Sequence, residues 1–113
     1  MTDLIELQAA PWRVYISGPM SGLPDLNYPA FHAVAGRLRA EGLEVENPAE
    51  NPEPPCGSWS GYMRLALVQI SKCNGMIVLP GWTKSRGARL EVHIAKELGL
   101  LVTCAEGAEE LMP

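Results

Sequence analysis

The chain has 113 residues, 47% of them apolar and 19% charged, and a formal net charge of −4 at pH 7. That length holds one compact domain with a genuine core, and the apolar share is too high for a disordered chain. The acidic balance without any Lys/Arg-rich run excludes a general nucleic-acid binder, and no apolar stretch approaches the roughly 20 residues of a membrane span.

Residues 1–11 read as a short leader ending at Pro11, without the layout of a secretory signal. Trp12–Ser17 (WRVYIS) is β-rich and stops at Gly18-Pro19, which predicts the first strand. Asn27–Gly42 predicts a helix. Pro29 suits its first turn, Ala30, Phe31, Val34, Ala35 and Leu38 form an apolar stripe at helical spacing, and Gly42 closes it. Leu43–Glu46 is a short second strand. Asn47–Gly57 holds four of the chain's ten prolines and is expected to be a loop.

A second helix is predicted from Ser58 to Lys72, capped by Ser58 or Ser60, with Met63, Ala66, Leu67 and Ile70 facing inward. Gly75–Leu79 (GMIVL) is an unbroken apolar run, as in a central strand covered on both faces. Pro80–Gly87 is a loop, Ala88–Leu98 a third helix, and Leu100–Cys104 a further buried strand, after which the last residues are expected to add a helical turn. The three cysteines, Cys56, Cys73 and Cys104, form neither a CxxC pair nor a Cys/His cluster. This argues against a disulfide scaffold or a metal site. Cys73 and Cys104 read as buried small hydrophobes, and the setting is expected to be cytoplasmic.

Strand–helix alternation implies right-handed βαβ units and hence a single three-layer α/β/α domain around a parallel sheet of four to five strands. The expected order is 2-1-3-4, flavodoxin-like or Rossmann-like. Ligands in such sheets lie beyond the carboxyl ends of the strands where the order reverses. The two loops at that point are Ser17–Gly22 (SGPMSG) and Pro80–Gly87 (PGWTKSRG).

In the first loop, Ser17, Gly18, Met20 and Gly22 offer hydroxyl, backbone and side-chain contacts, in neither a P-loop nor a GxGxxG pattern; the alternative is a tight turn with capping serines. In the second, Ser85, Arg86 and Gly87 precede the third helix and suit an anion, or else serve as an N-cap with solvated charges. Gly81 and Trp82 belong to the same loop, and Trp82 has the flat surface to cover a base, to close the loop or to join a dimer contact. Glu91 stands three residues after Ala88 and four before Ala95, at the core-facing border of the third helix. A carboxylate there is costly unless it is paired or working. Its ordinary alternative is a salt bridge to Arg89 or Lys96. Tyr15, in the first strand, needs a partner for its hydroxyl, and a carboxylate across the crevice would serve. His32 and His93 lie on different helices with no matching ligand set.

Taken together, YISGPMSG at 15–22, CNGMIVLPGW at 73–82 and SRGARLEVHIAKELG at 85–99 resemble the nucleoside 2-deoxyribosyltransferase superfamily, and specifically a small branch that is a domain of unknown function in bacteria and phages. The resemblance covers about residues 12–104. It implies cleavage or exchange of an N-glycosidic bond, with Glu91 as the nucleophile, Tyr15 as its orienting partner, and Ser85, Arg86 and Gly87 receiving a 5′-phosphate. It also implies a small-molecule nucleoside or nucleotide as partner, no cofactor, and a homodimer or higher homo-oligomer in which Trp59, Tyr62 and Trp82 supply an apolar contact. The family's acidic positions on the second helix and at the start of the third strand fall here at about Ala66 and at Asn74, and no Asp follows Asp25. Glu44, Glu46, Glu50 and Glu53 are the remaining carboxylates near the Pro-rich loop. Three readings follow: an N-glycosidase acting on a nucleoside 5′-monophosphate or related N-glycoside, a catalytically degenerate nucleotide-binding module, and an oligomeric structural or interaction protein.

Overall fold

A computed structural model describes residues 12–54 and 57–111. The leader expected over residues 1–11, and Cys56, lie outside the described residues. Four parallel strands, β1 (Arg13–Ser17), β2 (Glu44–Glu46), β3 (Gly75–Val78) and β4 (Leu101–Cys104), form one sheet in the order β2-β1-β3-β4. The expected 2-1-3-4 arrangement holds, with four strands in the sheet. Three helices connect them: α1 (Tyr28–Ala40), α2 (Trp59–Ser71) and α3 (Arg86–Glu97).

The two faces of the sheet carry different helices. On one face Phe31, Ala35 and Leu38 of α1 pack on Ile16, Ile77 and Leu79. On the other, Met63, Ala66 and Ile70 of α2 and Ala88, Val92 and Ala95 of α3 pack on Tyr15, Met76 and Val78. Alternation along β1 sends Ile16 to the α1 side and Tyr15 and Ser17, two residues apart, to the α2/α3 side. Each of the latter two helices starts on a serine cap. The Ser58 hydroxyl accepts from the Gly61 amide, and the Ser85 hydroxyl accepts from the Ala88 amide, both at 3.1 Å. α3 therefore begins two residues before the expected Ala88.

Three expectations need correction. β4 is an edge strand with exposed Leu101, Thr103 and Cys104, because among the described residues β3 alone pairs with it and α3 is the helix that packs most against it. For the same reason Cys104 is exposed, and Cys73 is only partly buried. The tail forms a turn, with the Ala108 amide donating to the Ala105 carbonyl, rather than a helical turn. A further element escaped the periodicity: the 3-10 turn Pro24–Asn27, in which Asp25, Leu26 and Asn27 all take positive φ (52°, 53° and 60°). Among the described residues no helix is long and apolar enough to cross a membrane, and no group of three His, Cys, Asp or Glu side chains is placed to hold a metal ion.

Candidate active site

All four strands point their carboxyl ends the same way, so the loop after β1, the loop after β3 and the amino end of α3 converge. Gly18 lies so close to the exit of β3 that a Cβ on it would come within 2.8 Å of the Leu79 Cβ. Gly81, at φ +88°, turns against Pro19, whose Cγ would be 3.2 Å from an added Cβ. Only glycine lets the two turns meet this closely. Between them and the amino end of α2 opens a cavity of about 500 Å³.

Glu91 forms part of its wall. α3 presents Ala88, Glu91, Val92 and Ala95 as one stripe to the sheet, and Glu91 is the residue of that stripe lying over the end of β1. Its side chain is 8% exposed. The Ser17 hydroxyl donates to Oε1 at 2.6 Å, and the Tyr15 hydroxyl donates to Oε2 at 3.1 Å. The pairing follows from β1 alternation, which puts both hydroxyls on the α3 side. Burial pushes the Glu91 carboxyl up to about 7, against which the Ser17 and Tyr15 hydrogen bonds pull down. Burial first, and then the Glu91 charge, hold the Tyr15 phenol well above its ordinary range, so it remains a donor. No ion pair of Glu91 is seen among the described residues: Arg89 donates to the Thr83 carbonyl at 2.9 Å, while Arg13 pairs with Glu44 and Arg39 with Glu50.

Gly18, Met20, Ser85, Arg86 and Gly87 line the cavity with Tyr15 and Glu91. Ser17 is fully buried behind the wall and acts on Glu91. Gly22, Gly81 and Trp82 lie outside the lining. Trp82 is 7% exposed, packs in the α2/α3 core, and its indole N–H donates to the Glu109 carbonyl at 2.8 Å. Its ring is committed to the interior, so it neither covers a base nor offers a surface contact. The Arg86 guanidinium sits 3.9 Å over the centre of the Trp59 ring at the cavity edge.

α2 supplies Trp59, Tyr62, Met63 and Ala66 to the wall, of which Met63 and Ala66 were expected to face inward and Trp59 and Tyr62 to form an apolar contact. Leu26, brought in by the positive-φ turn, and Glu109 carried no sequence signal. Glu109, in the tail, accepts through its carboxylate from the Gly81 amide at 2.7 Å, the Thr83 amide at 3.2 Å and the Thr83 hydroxyl. These bonds hold its carboxyl down at about 2. Asn74 stands at the opposite end of the sheet, its Oδ1 accepting from the Arg13 amide at 2.7 Å, so its lack of charge is immaterial to this cavity. Of the glutamates near the Pro-rich loop, Glu44 and Glu50 are in the ion pairs above and Glu46 accepts from Gln69 at 3.2 Å. The exposed Glu53 reaches the outer rim, its Oε1 3.4 Å from where a Cβ on Gly57 would stand. His32 contacts Asn47 on the α1 side, and His93 is exposed.

Residues 12–104 match the family described as Domain of unknown function (DUF4406). No curated protein matches the chain.

Proposed function

The chain belongs to the DUF4406 family, and from that premise we propose that it is an N-glycosidase acting on a nucleoside 5′-monophosphate or a related N-glycoside. The observation that carries this reading is the buried Glu91 carboxyl, clamped by two hydroxyls in the wall of a ligand-sized cavity. A volume of about 500 Å³ falls within the roughly 300–1,000 Å³ usual for small-molecule pockets.

In this reading Glu91 attacks the anomeric carbon in its ionised form while the bond to the base breaks, giving a glycosyl ester that water then hydrolyses. Tyr15 and Ser17 fix the carboxylate so that it is aimed before substrate arrives. The 5′-phosphate lies toward Arg86 and the free amides at the start of α3, with the Ser85 hydroxyl already engaged as the cap. Because the nucleophile must be ionised, kcat/KM rises with pH through an apparent value near 7.

The test is incubation with a panel of nucleosides and their 5′-monophosphates, with free base measured by chromatography. Release by the wild type and its loss in Glu91→Ala is the expected result. A second reading, a nucleotide-binding module, is favoured by the single carboxylate among the described cavity-lining residues. Thermal stabilisation by nucleotides without release of base from any panel member would select it.

A further inference from the structure

Resting on the N-glycosidase reading, we infer that the substrates are N-glycosides whose glycosidic nitrogen already carries a positive charge, as in pyridinium or N-alkylated purine nucleotides. Two observations lead there. The first concerns the leaving group. Cleaving a neutral nucleoside requires a proton for the departing base, and a positioned acid is worth roughly 10²–10⁴-fold in rate. Among the described residues lining the cavity the only carboxyl is Glu91, which is the nucleophile. On the α2 wall facing the cavity stands Ala66, which carries no acidic proton, and Asn74 is at the far end of the sheet.

The second observation concerns Glu91 itself. A buried carboxylate is ordinarily matched by a cation. Among the described residues this one is matched only by two neutral hydroxyls, with Arg89 turned away to the Thr83 carbonyl. A substrate carrying positive charge at the nitrogen beside the anomeric carbon places the missing cation next to the carboxylate. It favours the ionised nucleophile on binding, which a neutral nucleoside does not.

The step balances without a further reagent. The C1′–N bond breaks and its electron pair passes to the ring nitrogen, cancelling the positive charge, so the base leaves neutral and takes no proton. Glu91 forms the C1′–O bond. Water then attacks the ester, its hydroxyl stays on C1′, its proton goes to solvent, and the carboxylate is restored.

Two matched pairs test this: 7-methylguanosine 5′-monophosphate against guanosine 5′-monophosphate, and nicotinamide mononucleotide against its 1,4-dihydro form. Within each pair the sugar and phosphate are conserved and the charge on the base is not. Release of base from the charged member at least about 100-fold faster than from the neutral one, lost in Glu91→Gln and unchanged in Glu53→Gln, is the expected result. Comparable release from both members, or loss of release in Glu53→Gln, overturns this inference and leaves the N-glycosidase reading standing. No release from any of the four overturns this inference, and no release across the wider panel of nucleosides and 5′-monophosphates overturns the N-glycosidase reading with it.

Discussion

Glu91 shows how one side chain is set by its neighbours. Burial raises its carboxyl from 4.5 to about 7, so between those values the native state holds a proton that the unfolded chain has lost. The contribution of Glu91 to stability is therefore most favourable below pH 4.5, falls as pH rises through 7, and stays lower above it. The cost is about 3 kcal/mol in total. Glu91→Gln carries no charge at any pH. It is expected to be more stable than the wild type at pH 8, by up to about 3 kcal/mol, and to lose that advantage by pH 4.5 in chemical denaturation. An advantage independent of pH would mean that Glu91 is not the buried carboxyl titrating in this range. The tendency to stabilise on removal is what a buried carboxylate held against its own solvation produces.

At the scale of elements, the turn Pro24–Asn27 is the segment where local geometry is least favourable. Left-handed backbone at three successive non-glycine residues costs on the order of 1–2 kcal/mol at each, less for Asp and Asn. It is held by the Asn27 side-chain Nδ2 donating to the Pro19 carbonyl at 3.0 Å and by the Leu26 backbone amide donating to the Leu23 carbonyl at 3.0 Å. The result carries Leu26 to the cavity wall. Comparing two truncations isolates the backbone cost, because both remove the same packing. Leu26→Gly is expected to be more stable than Leu26→Ala by about 1 kcal/mol, the reverse of their order inside a helix. Equal stability by denaturant titration would show that the turn is not strained at this residue.

For the molecule as a whole, the tail beyond the sheet closes the end where the site lies. Ala105 is buried in the α1-side core, and Glu109 ties Gly81 and Thr83, so residues after β4 fix the loop that leads into α3. Glu109→Ala is expected to leave the sheet intact and to speed hydrogen exchange at the Gly81 and Thr83 amides relative to Ile77 in β3. Since its carboxyl is held down at about 2, the support Glu109 gives is present above pH 4.5 and fades as pH falls toward 2. Unchanged exchange at both amides would show that the loop holds its shape alone.

Periodicity and punctuation sufficed for the parallel order, the three helices and the position of the crevice, because strand–helix alternation leaves few topologies open. Tyr15 and Glu91 were legible individually, one as a tyrosine in a strand, the other as a carboxylate on a core-facing stripe. For Trp82 the sequence left base cover, loop closure and a dimer contact open, because an aromatic in a loop looks the same whether it turns outward or in, and the structure shows loop closure. Glu109 and the Pro24–Asn27 turn left no trace, since neither belongs to a repeating pattern. The sequence by itself determined which elements form and which end of the sheet bears a site. Only the tertiary structure decided that Ser17 and Tyr15 both reach Glu91, because pairing groups more than seventy residues apart depends on how helix and strand are juxtaposed and not on local preference.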